Sequence, residues 1–207
     1  QAGADLSLKD GSGWTPLHLA AAKNKLELAK FLLDSGADGI IVPMVSNPEE
    51  VEALAAWSKY PPHGRRSFGV ARAQGYGLDF EDYVASWNDS SMLIIQIESV
   101  AGVENIDAML AFDAVDGVMV GPFDLSGSLG VPGQLDHPKV KAAAQKVIDA
   151  CARAGRACGT HVVDPNADNM EAVFADGYTF TALSSDVFLL GQWASTMQGI
   201  IGTVRAD

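Results

Sequence analysis

Ile94-Ile95-Gln96-Ile97-Glu98, answered one strand later by Val118-Met119-Val120-Gly121-Pro122-Phe123-Asp124-Leu125-Ser126, decides how this chain folds. Both stretches are apolar runs that end in polar residues. Alternation along a strand puts Gln96 and Glu98 on one face. Polar side chains that face a dry core cost free energy, whereas the same residues make sense at the mouth of a barrel. Asp124 falls just past the carboxyl end of the next strand. A Rossmann fold would need a Gly-rich phosphate-binding turn after its first strand. None is present, and Gly121-Pro122 blocks that geometry. Polar residues gathered at the carboxyl ends of parallel strands are the pattern of a (β/α)8 barrel.

Working outward, apolar strands alternate with helices. Strands are predicted at Gly39 to Val45, Met92 to Glu98, Val115 to Gly121, Ala157 to Val163 and Tyr178 to Leu183. Ser46 or Asn47 caps a helix with Pro48 in its first turn and Glu49 and Glu50 at the positive end of the dipole. Val51, Leu54, Ala55 and Ser58 share one of its faces. Residues 59 to 78 read as a long loop, and Asp79 to Asn88 as a short helix. Val103, Ile106, Met109 and Leu110 mark the next. Asp136 is expected to cap a helix carrying the stripe Val140, Ala144, Val147, Ile148 and Cys151. Asn166 to Ala175 is a further helix, and Asp186 opens the last. Strands separated by helices imply a parallel sheet, expected to be covered on both faces.

Composition narrows the function. A net charge of −12 argues against nucleic acid, because a phosphate backbone needs a basic face. The only basic cluster is Arg65-Arg66. No apolar run is long enough to span a bilayer, and no signal peptide is visible. Cys151 and Cys158 sit in apolar surroundings as buried free thiols, which fits a reducing, cytoplasmic setting.

Two carboxylates on adjacent strand ends, with the Gln96 amide beside them, can hold an octahedral divalent cation. Oxygen ligands select Mg²⁺ or Mn²⁺ over zinc. The spacing equally allows Asp124 to bond local backbone in a turn and Glu98 to sit in a surface ion pair. A Schiff-base mechanism needs an interior Lys, and no Lys lies in a predicted strand.

Ile94 to Glu98, Gly121 to Gly130, Tyr60-Pro61-Pro62-His63-Gly64-Arg65-Arg66, Ala71-Arg72-Ala73 and Asp136 to Val140 together resemble the HpcH/HpaI aldolases, which are class II metal-dependent pyruvate aldolases. The resemblance runs from about Leu32 to about Ala194, short of the ~250 residues of a typical barrel. It implies a partial (β/α)8 barrel of about five βα units over residues 39–207, with the first strands missing. It implies a carbon–carbon lyase: a 4-hydroxy-2-oxo acid yields pyruvate, or a related 2-oxo acid, and an aldehyde through a metal-stabilised enolate.

 In that family pattern Glu98 and Asp124 match the metal ligands, and Gln96 contacts the 2-oxo acid. Backbone at Gly121, Pro122 and Phe123, with Asp124, holds the substrate carboxylate, although Ala is common at the position of Phe123. Asp34 matches a catalytic Asp in the pattern L-L-D that raises the basicity of a His base. That His and a transition-state Arg have no counterpart in residues 1 to 38. His161 could reach the site, but the resemblance gives it no role. The resemblance further implies a small-molecule substrate and a homo-oligomer.

Residues 1–38 carry a second pattern. Asp10-Gly11-Ser12-Gly13-Trp14-Thr15-Pro16-Leu17-His18-Leu19-Ala20-Ala21 resembles an ankyrin repeat, with a second helix at Leu26 to Leu33 and a terminal turn at Gly36-Ala37-Asp38. An ankyrin-like helix pair ahead of the barrel implies a protein partner. The alternative function is therefore an ankyrin-type binding module on a non-catalytic barrel.

Overall fold

The computed structural model describes residues 26–204. The ankyrin-like motif at Thr15 to Ala21 lies outside them. The described chain opens with helix α1 (Leu26–Asp34) and strand β1 (Gly39–Val42). Helix α2 (Pro48–Ser58), a 3-10 segment (Arg72–Gly77) and helix α3 (Phe80–Ser90) lead to β2 (Met92–Ile97). Two short helices, α4 (Val100–Glu104) and α5 (Ile106–Leu110), precede β3 (Gly117–Val120). Then come α6 (Pro122–Ser128), α7 (Pro138–Ala154), β4 (Ala157–Val162), α8 (Ala167–Ala175), β5 (Phe180–Leu183) and α9 (Asp186–Val204).

The five strands form one parallel sheet in the order β1-β2-β3-β4-β5. Spatial order that follows chain order has no point of reversal, which separates this sheet from the doubly wound folds. Right-handed crossovers repeated in one direction also put every helix on the same face. β2 is buried on one face only, its alternate residues being half-buried or exposed, whereas all four residues of β3 are buried. Leu93, Ile95, Ile97, Val118 and Val120 are buried against the helix layer, with Ile106, Met109, Val147 and Ile148 facing them. The alternate residues of β2 turn the other way, and Met92 there is 53% exposed. The result is a curled half-barrel whose inner face carries the polar residues.

Local chemistry sets the boundaries. β1 ends at Val42, three residues before the predicted Val45, because Pro43 has no N–H for the ladder and Met44 turns left-handed at φ 59°. Asn47 caps α2 by accepting from the Glu50 N–H at 2.9 Å, and Val51, Ala55 and Ser58 are its buried face. At α7 the cap is His137, whose Nδ1 accepts from the Lys139 N–H at 3.2 Å. The expected cap, Asp136, instead pairs with Lys141 at 2.9 Å. Cys151 and Cys158 are free and buried, as the sequence implies. No described helix is long and apolar enough to cross a membrane.

The amino edge of the sheet is closed by two cations. Lys59 Nζ donates to Ser91 O at 2.6 Å and pairs with Asp116 at 3.2 Å. Arg66 is wholly buried and donates to Asp34 Oδ1 at 2.7 Å and to the Tyr83 hydroxyl at 3.2 Å. Its guanidinium lies over the Trp87 ring at 4.3 Å and the Tyr60 ring at 5.0 Å. The one basic cluster in the sequence is thus half internal, not a basic surface. At the far end of the chain, α8 and α9 bury no residue, and Leu190 and Trp193 of α9 are 65% and 63% exposed.

Candidate active site

Glu98 stands one residue past the end of β2, and its carboxylate is gripped from two sides. The Met44 N–H donates to Oε2 at 2.9 Å, and the Gln96 amide donates to Oε1 at 2.8 Å. The shared face of Gln96 and Glu98, read from alternation, is therefore present as a contact. Asp124, in the first turn of α6, comes within hydrogen-bonding reach of Glu98. Gly121 lies against Glu98, and a Cβ there would overlap the Glu98 carboxylate. Only glycine at this position leaves room for the Glu98 carboxylate as it stands.

Glu98 is buried, and burial is the main reason its carboxyl is pushed up to about 7. The Met44 N–H pulls the other way by favouring the charged form, while the neighbouring Asp124 charge raises it further. Among the described residues no basic side chain pairs with either acid, although the buried cations at the amino edge are both paired. The carboxyl edge thus holds a close acid pair without a counter-charge. Two carboxylates with an amide fit Mg²⁺ or Mn²⁺, which use one or two protein carboxylates and complete their shell with water and substrate. No group of three or more His, Cys, Asp and Glu gathers among the described residues, so the donor set does not suit an all-protein cage.

Register places the other polar residues. Gln96 pairs with Met119, and Met119 with Gly159. Two residues further on, Glu98, Gly121 and His161 share a level on the inner face, where His161 pairs with Ala182. His161 is roughly 10 Å from Glu98, two interstrand spacings away. Its Nε2 contacts Ser184 O at 3.1 Å. Phe123 is 59% exposed at the start of α6, next to Asp124. Asp34 is not brought to this group. It precedes β1, whereas Glu98 follows β2, so the two occupy opposite edges of the sheet.

Sequence reading missed Met44 and Gly121's steric part. A Pro followed by a positive-φ residue is a turn signal, but nothing local says that the turn's free N–H meets an acid fifty-four positions away.

A parallel half-barrel with an acid pair and an amide at its carboxyl edge has the layout of the (β/α)8-barrel class, whose polar residues gather at the carboxyl ends of the strands. Residues 17–192 match the model of the HpcH/HpaI aldolase/citrate lyase family, and the chain belongs to that family. It is 41% identical over 167 residues to a 2-keto-3-deoxy-L-rhamnonate aldolase of Klebsiella pneumoniae, covering 80% of this chain and 61% of that protein. It is 40% identical over 166 residues to a hydroxypyruvate/pyruvate aldolase of Roseobacter denitrificans, covering 79% and 63%. The crystal structure of an HpcH/HpaI aldolase from Desulfitobacterium hafniense superposes with a TM-score of 0.77 at 33% identity, over 85% of this chain and 68% of that one. The chain therefore spans about three fifths of the length of the curated relatives it matches. The family match also reaches back to residue 17, inside the ankyrin-like segment.

Proposed function

We propose that this chain carries the metal- and 2-oxo-acid-binding part of a pyruvate aldolase, a carbon–carbon lyase acting on 4-hydroxy-2-oxo acids. The observation that carries the reading is the uncompensated Glu98–Asp124 pair with Gln96 at the carboxyl edge of the sheet. A divalent cation bound there would supply Lewis-acid polarisation of the substrate's keto group. Glu98 and Asp124 would hold it, and the Met44 N–H and Gln96 amide fix the orientation of Glu98. Gln96 would also contact the 2-oxo acid. The first N–H groups of α6, at Phe123 and Asp124, have no partner within the helix and can receive the substrate carboxylate. Gly121 and Pro122 shape that end of the pocket without adding bulk beside Glu98. No Lys lies in a described strand, which disfavours a Schiff base.

Asp34 enters this reading as a polariser of a His base supplied from elsewhere. Its place at the amino edge, bound to Arg66, makes a structural role the stronger one in the isolated chain. The homo-oligomer and the cytoplasmic setting belong to the same proposal, supported by the apolar surface of α9 and by two free buried thiols. The ankyrin-type binding unit over residues 1–38 is not favoured, because the family match crosses into it.

The test is to incubate the chain with Mg²⁺ or Mn²⁺ and a 4-hydroxy-2-oxo acid and follow pyruvate with lactate dehydrogenase. Weak turnover is expected, since lack of a general base costs about 10²- to 10⁴-fold. A folded sample that shows neither turnover nor metal uptake overturns the reading.

A further inference from the structure

Three non-glycine residues of the described chain have positive φ, at Met44, Tyr76 and Ser184. Of these, Met44 is the one whose backbone reaches a candidate metal ligand. We propose that Met44 is a positioning residue: its left-handed backbone aims its N–H at Glu98 Oε2 and so fixes which Glu98 lone pairs remain free beside Asp124. The consequence for cation binding rests on the metal reading above. The contact itself does not.

The conformation is unfavourable for this side chain. Pro43 followed by a positive-φ residue is the pattern of a type II turn, where Gly or Asn usually takes the second place. Met brings no polar group to bond its own backbone, and at 54% exposure it gains little from burial. The compensation lies elsewhere. β1 has ended, so the Met44 N–H has no ladder partner, and it turns to an acid.

Other bonds hold the residues that follow Met44. The Val45 N–H donates to Gln96 O at 3.2 Å. Asn105 Nδ2 donates to Ser46 O at 2.9 Å, and the Ser46 N–H donates to Glu50 Oε2 at 2.7 Å. With the chain after Met44 anchored in this way, the backbone conformation at Met44 sets where the spare N–H points. Gln96 holds the second oxygen of Glu98 at 2.8 Å. Two donors from adjacent strand ends therefore pin the plane of the carboxylate. Orienting partners of this kind tune metal affinity without touching the metal.

The experiment uses the full chain with Met44→Gly, Met44→Asn and Met44→Val. Gly and Asn accept a left-handed backbone, whereas a β-branched residue resists it. Free Mn²⁺ is read by electron paramagnetic resonance. The Gly and Asn variants should bind within about twofold of the parent, and the Val variant about tenfold more weakly. Parent-like affinity in Met44→Val overturns the proposal. So does equal weakening in Met44→Gly, which would put the effect in the side chain. A metal-free arm follows the amide proton of Met44 by nuclear magnetic resonance. Glu98→Ala should move it upfield as the carboxyl acceptor is lost; an unmoved signal overturns the proposal. This arm decides even if Met44→Val does not fold. If the parent takes up no Mn²⁺, the metal reading falls, and the amide signal still settles whether Met44 holds Glu98.

Discussion

Asp34 Oδ1 accepts from Arg66 at 2.7 Å, and this pair occupies the edge of the sheet opposite Glu98. The Arg66 side chain has no solvent exposure, and its Nε finds no partner among the described residues. Burial alone would lower its pKa, but the hydrogen bonds to Asp34 and Tyr83 more than offset that and hold the guanidinium charged. Asp34→Ala would strand a buried cation. A loss of about 3 kcal/mol is expected in urea unfolding, with Arg66→Met in the same chain recovering part of it. Unchanged stability in Asp34→Ala would show that the buried Arg66 does not depend on Asp34.

The Glu98 carboxyl gives a pH dependence of definite sign. Its folded pKa of about 7 lies above the ordinary 4.5, so the folded metal-free chain binds the extra proton between those values. Stability from this group is complete below pH 4.5 and is lost as pH rises through 7, by at most about 3 kcal/mol. Glu98→Gln should flatten that slope. A parent chain that gains stability across the same window, with Glu98→Gln unchanged, contradicts the assignment.

Metal should act in the opposite sense. Mg²⁺ or Mn²⁺ binds the ionised pair and should raise the melting temperature, since a ligand specific to the folded state stabilises it. Asp124→Asn should abolish the increment and leave the metal-free value nearly unchanged, because removing one of two close acids relieves repulsion. Equal responses in parent and variant would make Asp124 a turn residue only.

Gly121→Ala tests the close approach of the acids. The added methyl would overlap the Glu98 carboxylate, so the acid must shift. Overpacking of this kind costs about 1–3 kcal/mol. The metal response should fall with it. A variant with parent stability and parent metal response would show that the pocket has room to spare.

Much of this was legible in the chain itself. The alternation in Ile94-Ile95-Gln96-Ile97-Glu98 depends on strand geometry alone, so the shared face of Gln96 and Glu98 followed directly. The Pro48 and Asn47 start signal of α2 is equally local, and it held. The cap of α7 shows the limit: Asp136 is a residue type that caps favour, yet His137 takes that place and Asp136 pairs with Lys141.

Sequence by itself thus determined the strand–helix alternation, the parallel sheet and the acids at its carboxyl edge, because each is read from residue patterns along the chain. Tertiary structure alone decided what those acids meet. Met44 reaches Glu98, Gly121 makes room beside it, and Arg66 takes Asp34 to the far edge. These partners lie on different βα units, and only the register of neighbouring strands and the common direction of the crossovers bring them together.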